Sequence, residues 1–177
     1  MAIRVLVVDD HFVVRAGVAS FIDSQSDMSL VGEAANCEDA VSAADSLRPD
    51  VVLMDIRLDE CSGIDACRKI KEANPGIRVV MFTTYADLEL LRSSIEAGAS
   101  GYVIKRMALS SLVDTIRRVM RGEELVIDNR AQAALDGGGT EAHLAERLRR
   151  LSPQERRVLS LIADGLTNRQ IADELSL

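Results

Sequence analysis

Asp9 and Asp10 stand side by side at the end of the apolar run "VLVV", and Asp55 closes a second such run, "VVLM". Thr83 and Thr84 close a third, "VVMF", and Lys105 follows a fourth, "GYVI". Three carboxylates held close raise one another's pKa values unless a cation neutralises them. A hard divalent ion with oxygen ligands does so, and Mg²⁺ is the cellular default. Mg²⁺ beside a partly shielded carboxylate suits phosphoryl transfer, in which a carboxylate oxygen attacks phosphorus in line and an aspartyl phosphate forms. An ammonium such as that of Lys105 would neutralise phosphoryl oxygens, and the Thr83 hydroxyl would supply a hydrogen bond. An Asp at a strand end is often only the N-cap of the next helix. Capping would account for Asp9, Asp10 or Asp55 singly, but not for all three with Thr83 and Lys105 on matching strands.

That chemistry needs elements that bring these residues to one rim. Short β-branched runs occur at 3–8, 28–33, 51–54, 77–82 and 101–104. Between them lie helical spacings: Val14, Val18 and Ile22; Leu88, Leu91 and Ile95; Leu109, Leu112, Val113, Ile116 and Met120. The alternation predicts (βα)₅, and continuous apolar strands predict a parallel sheet covered by helices on both faces. "NPG" at 74–76 and "AGASGY" at 97–102 stop helices before the fourth and fifth strands. In such an open sheet ligands bind beyond the carboxyl ends of the strands, where the acids stand. Only the second strand brings nothing obvious to that rim.

Composition agrees with a soluble globular chain: 47% hydrophobic, 28% charged, net charge −7. No signal peptide or membrane span is legible, so a cytoplasmic protein with no membrane partner is expected. Cys37, Cys61 and Cys67 are odd in number and lack CxxC spacing. Neither a disulfide framework nor a zinc site is suggested, and the three are expected to be small apolar fillers.

After Arg121 the pattern breaks. A triple glycine at 137–139 favours a flexible hinge. From residue 141 helical spacing resumes with Leu144, Leu148 and Leu151. "SPQE" at 152–155 has the form of a helix start, with Ser152 as cap, Pro153 in the first position and Glu155 three residues after the cap. Three domains follow: 1–121, a linker 122–140, and a short helical piece 141–177.

"VLVVDDH", "DVVLMDIRL", "VVMFTTY" and "GASGYVIK" together resemble the receiver domain of bacterial two-component response regulators. The resemblance implies a flavodoxin-like fold with strand order 2-1-3-4-5. It implies Asp55 as phosphoacceptor, not a turnover enzyme, with a sensor histidine kinase as donor. Mg²⁺ would be held by Asp10, Asp55 and the main-chain carbonyl of Arg57, with Asp9 acting through water. Thr83 and Tyr102 match the family's switch pair, and Lys105 its phosphate-binding lysine. Two departures stand out. Asp59 replaces the usual Pro in "LDECSG", which implies a looser, more negative loop, and Arg106 replaces the Pro that often follows the lysine.

"LSPQERRVLSLIADGLTNRQIADELSL" resembles the start of the helix-turn-helix of the NarL/FixJ, or LuxR-type, class. Within it the chain looks most like the actinobacterial hypoxia/dormancy branch. The class implies transcription regulation through DNA and a homodimer on activation. The recognition helix that reads bases in such motifs is expected to be missing from 141–177. Six acidic and six basic residues there leave no basic footprint, so this chain is expected not to bind its operator specifically. Haloacid-dehalogenase-type phosphatases are disfavoured because Arg57 stands where they place a second acid. The remaining alternative is a receiver that works without phosphorylation, as a protein-interaction module.

Overall fold

The computed structural model describes residues 2–59, 61–84, 87–105 and 109–127, together with Gln132, Ser152 and Glu174. Arg106 and nearly all of 128–177, including the expected hinge and helix-turn-helix, lie outside the described residues. By contacts the chain divides into two units, Met1–Asp136 and Gly137–Leu177.

In chain order the first unit contains β1 (Ile3–Val8), α1 (Phe12–Asp23), β2 (Met28–Ala34), α2 (Cys37–Leu47) and β3 (Val51–Met54). Next come β4 (Arg57–Leu58), β5 (Cys61–Ser62), α3 (Gly63–Ala73), β6 (Arg78–Thr83) and α4 (Leu88–Glu96). The series ends with β7 (Gly101–Ile104), α5 (Leu109–Met120) and β8 (Val126–Ile127). The main sheet runs β2-β1-β3-β6-β7-β8, with every pair parallel. Its first five strands are the expected order 2-1-3-4-5.

Two additions were not legible in the sequence. β4 and β5 form a small antiparallel hairpin just after Asp55. β8, inside the segment read as linker, pairs with Gly101 and Tyr102 of β7. A two-residue strand offers no periodicity, so only the exposed edge of β7 could reveal it.

Alternation along the strands sends side chains to two cores. Leu6, Val8, Val52, Met54, Val79 and Met81 face one, packed with α2, α3 and α4. Val5, Val7, Val51, Leu53, Val80 and Phe82 face the other, packed with α1 and α5. In α4 only Leu91 of the periodic set is buried; Leu88 is 60% exposed and Ile95 43%. The 3/4 spacing there marks a helix correctly but overstates its buried face.

Turn chemistry ends the elements where expected. Gly98 adopts a positive φ of 89° after α4, a conformation that favours glycine. Arg4 ties β1 to the end of α2, donating to the carbonyls of Leu47 (2.6 Å) and Arg48 (2.8 Å).

The cysteine expectation is corrected. Cys37 and Cys61 form a disulfide, with Cα atoms 6.3 Å apart, and only Cys67 is free. They stand 24 residues apart in sequence, and it is the packing of the start of α2 beside the β4–β5 hairpin that joins them. Cys67 is the buried filler expected of all three, and burial pushes its thiol up to about 11.

Candidate phosphoacceptor site

The carboxyl ends of β1, β3, β6 and β7 bring Asp9, Asp10, Asp55, Thr83 and Lys105 to one rim. The capping explanation fails on geometry. His11 is the N-cap residue of α1 and makes no side-chain cap bond, and Ser62 caps α3. Asp9 and Asp55 are instead buried, at 1% and 5% exposure.

Lys105 answers both charges. Its ammonium bonds Asp55 Oδ2 and approaches Asp9 Oδ2 to 2.6 Å, an ion pair outside hydrogen-bonding alignment. Its main-chain N–H donates to the Thr83 carbonyl at 2.6 Å, which fixes the lysine to the end of β6. Asp9 Oδ1 accepts the N–H of His11 at 2.9 Å, and Asp55 Oδ1 accepts that of Arg57 at 3.3 Å. Burial pushes the Asp55 carboxyl up, opposed by Lys105 and assisted by the charge of Asp9. Asp10 is less enclosed. Burial raises it, but the hydrogen bond and charge of His11, with a hydrogen bond to Asp59, hold it below its ordinary value.

One ligand atom from each of Asp9, Asp10, His11 and Asp55 falls within 4.8 Å of the others. Three of the four are carboxylate oxygens, the donor type that suits a hard divalent cation. Two of the carboxylates are buried, with a single ammonium between them, so the cluster retains negative charge for a cation to offset. The residues present therefore fit such an ion.

The cluster floors a cleft of about 800 Å³ whose walls include Arg57, Asp59, Cys61, Ser62, Thr84 and Leu90. Gly63 follows Ser62 of that wall and opens α3. A Cβ there would stand 1.8 Å from the main-chain oxygen of Asp55, so only glycine lets α3 begin directly against the end of β3. Thr83 is buried at 1% exposure, while exposed Thr84 lines the cleft. Tyr102 is fully buried, and that burial pushes its phenol up to about 12.

Sequence reasoning missed three contributors. His11 bonds Asp10 Oδ1 at 2.6 Å, and its place in "DDH" was the available signal. Arg15, one turn into α1, donates to the Asp9 carbonyl at 2.6 Å and pairs with Glu33 of β2 at 3.1 Å. The second strand thus supports the rim through Arg15. Asp59, noted only as a missing Pro, faces Asp10.

A parallel 2-1-3-4-5 core with acids, a hydroxyl and a lysine at its carboxyl rim defines a flavodoxin-like receiver. The chain belongs to the response regulator family: residues 5–117 match the response regulator receiver domain, and residues 149–177 match the bacterial regulatory proteins of the luxR family. It is 38% identical to the DNA-binding transcriptional activator DevR/DosR of Mycobacterium tuberculosis, over 99% of this chain and 81% of that protein. It is 34% identical to the response regulator protein VraR of Staphylococcus epidermidis, over 97% and 81%. Among solved structures, a LuxR-family two-component response regulator from Aurantimonas superposes with a TM-score of 0.73 at 30% identity, over 77% of this chain and 96% of that one. The protein is thus a two-component response regulator joining a receiver to a LuxR-type DNA-binding domain. Proteins of this kind are generally not turnover enzymes. Among the described residues no helix is long and apolar enough to cross a membrane.

Proposed function

We propose that Asp55 accepts a phosphoryl group from a phosphohistidine of a sensor histidine kinase. The observation that carries this is the Lys105 ammonium set between the buried carboxylates of Asp9 and Asp55, with Asp10 alongside. An Asp55 oxygen attacks phosphorus, the bond from phosphorus to the histidine nitrogen breaks, and the imidazole leaves. Lys105 then exchanges its contact with the carboxylate for one with a phosphoryl oxygen, and the Thr83 hydroxyl moves to another. Asp10, Asp55 and the main-chain carbonyl of Arg57 would hold Mg²⁺, with Asp9 acting through water. The ion supplies charge neutralisation for the transferring group.

Tyr102 completes the switch beside Thr83. Movement of the pair biases the surface of α4, β7 and α5, where exposed Leu88 and Ile95 suit a homodimer contact. The output is DNA binding by the LuxR-type domain, in the cytoplasm where such kinases and DNA meet. Residues 1–121, continued by β8, form the receiver, 128–140 the rest of the linker, and 141–177 part of the output domain.

Treatment with acetyl phosphate, or with beryllofluoride, in the presence of Mg²⁺ tests this. The protein should gain one phosphoryl group by intact mass, or shift its oligomeric state with beryllofluoride. Asp55→Asn should do neither. Unchanged mass and oligomeric state in the parent protein would sink the reading.

A further inference from the structure

The Cys37–Cys61 disulfide encloses the phosphoacceptor strand. The ring it closes runs from the first residue of α2 through β3 and Asp55 to β5. Cys61 lines the cleft of Asp55 and Lys105, and with Cys37 it also lines a second groove between α2 and α3. Both sulfurs' residues are half-buried, so small reagents reach them from that groove. Cys67 differs in every respect: fully buried, unpaired, and with its thiol pushed up to about 11, it stays protonated and inert.

The segment so tethered is short. Between Asp55 and α3 the backbone is paired in a two-residue ladder, Arg57 with Ser62 and Leu58 with Cys61, closed by the Gly63 N–H donating to the Ile56 carbonyl at 2.9 Å and backed by the buried side chains of Ile56 and Leu58. A hairpin that short is marginal alone. At its turn stands Asp59, where the family pattern has a stiffening Pro. The same segment carries the Arg57 main chain that donates to Asp55.

We propose that Cys37 and Cys61 form a reversible dithiol–disulfide site whose closure ties the loop after Asp55 to the start of α2 and sets the phosphoacceptor site for cation binding. This rests on the reading of Asp55 as phosphoacceptor. In a reducing compartment, disulfides are usually transient and redox-sensing. Closure needs a small-molecule disulfide as oxidant. One cysteine thiolate attacks it and expels one thiolate, and the second cysteine attacks the mixed disulfide and expels the other. Two protein thiols lose two electrons and two protons, and the reagent is reduced to two thiols.

The test equilibrates the full chain with glutathione disulfide or with dithiothreitol, then alkylates under denaturing conditions. The oxidised form should label one cysteine, mapped to Cys67, and the reduced form three. Calorimetric Mg²⁺ affinity should fall about fivefold or more on reduction, and the rate of phosphorylation by acetyl phosphate should fall with it. Cys37→Ser and Cys61→Ser should show the Mg²⁺ affinity of the reduced protein in either buffer, and Cys67→Ala that of the parent in each. Three labelled cysteines after oxidation, or equal Mg²⁺ affinity in both forms while Asp55 still takes a phosphoryl group, would overturn the clasp alone. No phosphorylation in either form, with the disulfide intact, would overturn the phosphoacceptor reading and the clasp's role with it.

Discussion

On one face of the sheet, α5 buries Leu112, Val113, Ile116 and Val119, and α1 buries Val18 and Ile22. On the other, α2 buries only Ala40 and Ala44, and α4 only Leu91 and Ser94. The first face is built of branched side chains that must interdigitate, with Arg117 of α5 paired to Asp27 at 2.8 Å across the α1–β2 turn. On the second the outer helices α2 and α4 are held more lightly, around α3, whose Ile64, Cys67 and Ile70 supply most of the helical bulk. Local opening costs least where buried apolar contacts are fewest. The face next to the cleft is therefore the one whose outer helices can shift, and the α1/α5 face is the fixed frame. The disulfide lies on the lighter face, at the start of α2.

The largest effect expected from this contrast is on the frame. Ile116 is fully buried, so Ile116→Ala should cost about 2–5 kcal/mol and lower the calorimetric melting temperature by about 4–20 °C. A loss below 1 kcal/mol would mean that the α1/α5 face is as loosely packed as the other.

An intermediate effect of opposite sign is expected at the rim between the faces. Burial raises the Asp55 carboxyl, so the folded chain binds that proton more tightly than the unfolded chain. The cost of the ionised group is full at neutral pH and is relieved as pH falls through the raised folded value towards the ordinary carboxylate range. Asp55→Asn should thus raise the melting temperature by a few degrees at pH 7 in the metal-free protein. The difference from the parent should narrow as the solution is acidified. A constant difference across that window would mean that Lys105 fully offsets burial.

The smallest stability effect belongs to α4. Leu88 is 60% exposed, and Leu88→Ser should change stability by no more than about 0.5 kcal/mol. Sedimentation with beryllofluoride and Mg²⁺ should nonetheless show weaker dimerisation. Intact dimerisation would move the interface away from this helix.

Much of this was legible from short-range pattern. The five main strands, their apolar continuity and the acids at their ends follow from local composition, because a strand buried on both faces can tolerate charge only where it leaves the sheet. The helices of the lighter face were legible as helices, but not how little of each is buried. Spacing reports a stripe such as Leu88, Leu91 and Ile95 whether or not a neighbour covers all of it. The site was legible in its acids, Thr83 and Lys105. Arg15 and the approach of Asp59 to Asp10 were not, because each is a contact that no local period encodes, such as the one Arg15 makes with the Asp9 carbonyl from a turn into α1.

Sequence alone settled which residues carry charge to the rim and that the elements alternate, since both depend on residue type and on periods of 2 and 3.6. Tertiary structure decided the pairings. Lys105 meets Asp9 across about a hundred residues, β8 docks on β7, and Cys37 reaches Cys61 because chain segments remote in sequence are packed against the same sheet edge or loop. No local pattern encodes such a distance; it exists only once the crossovers have closed.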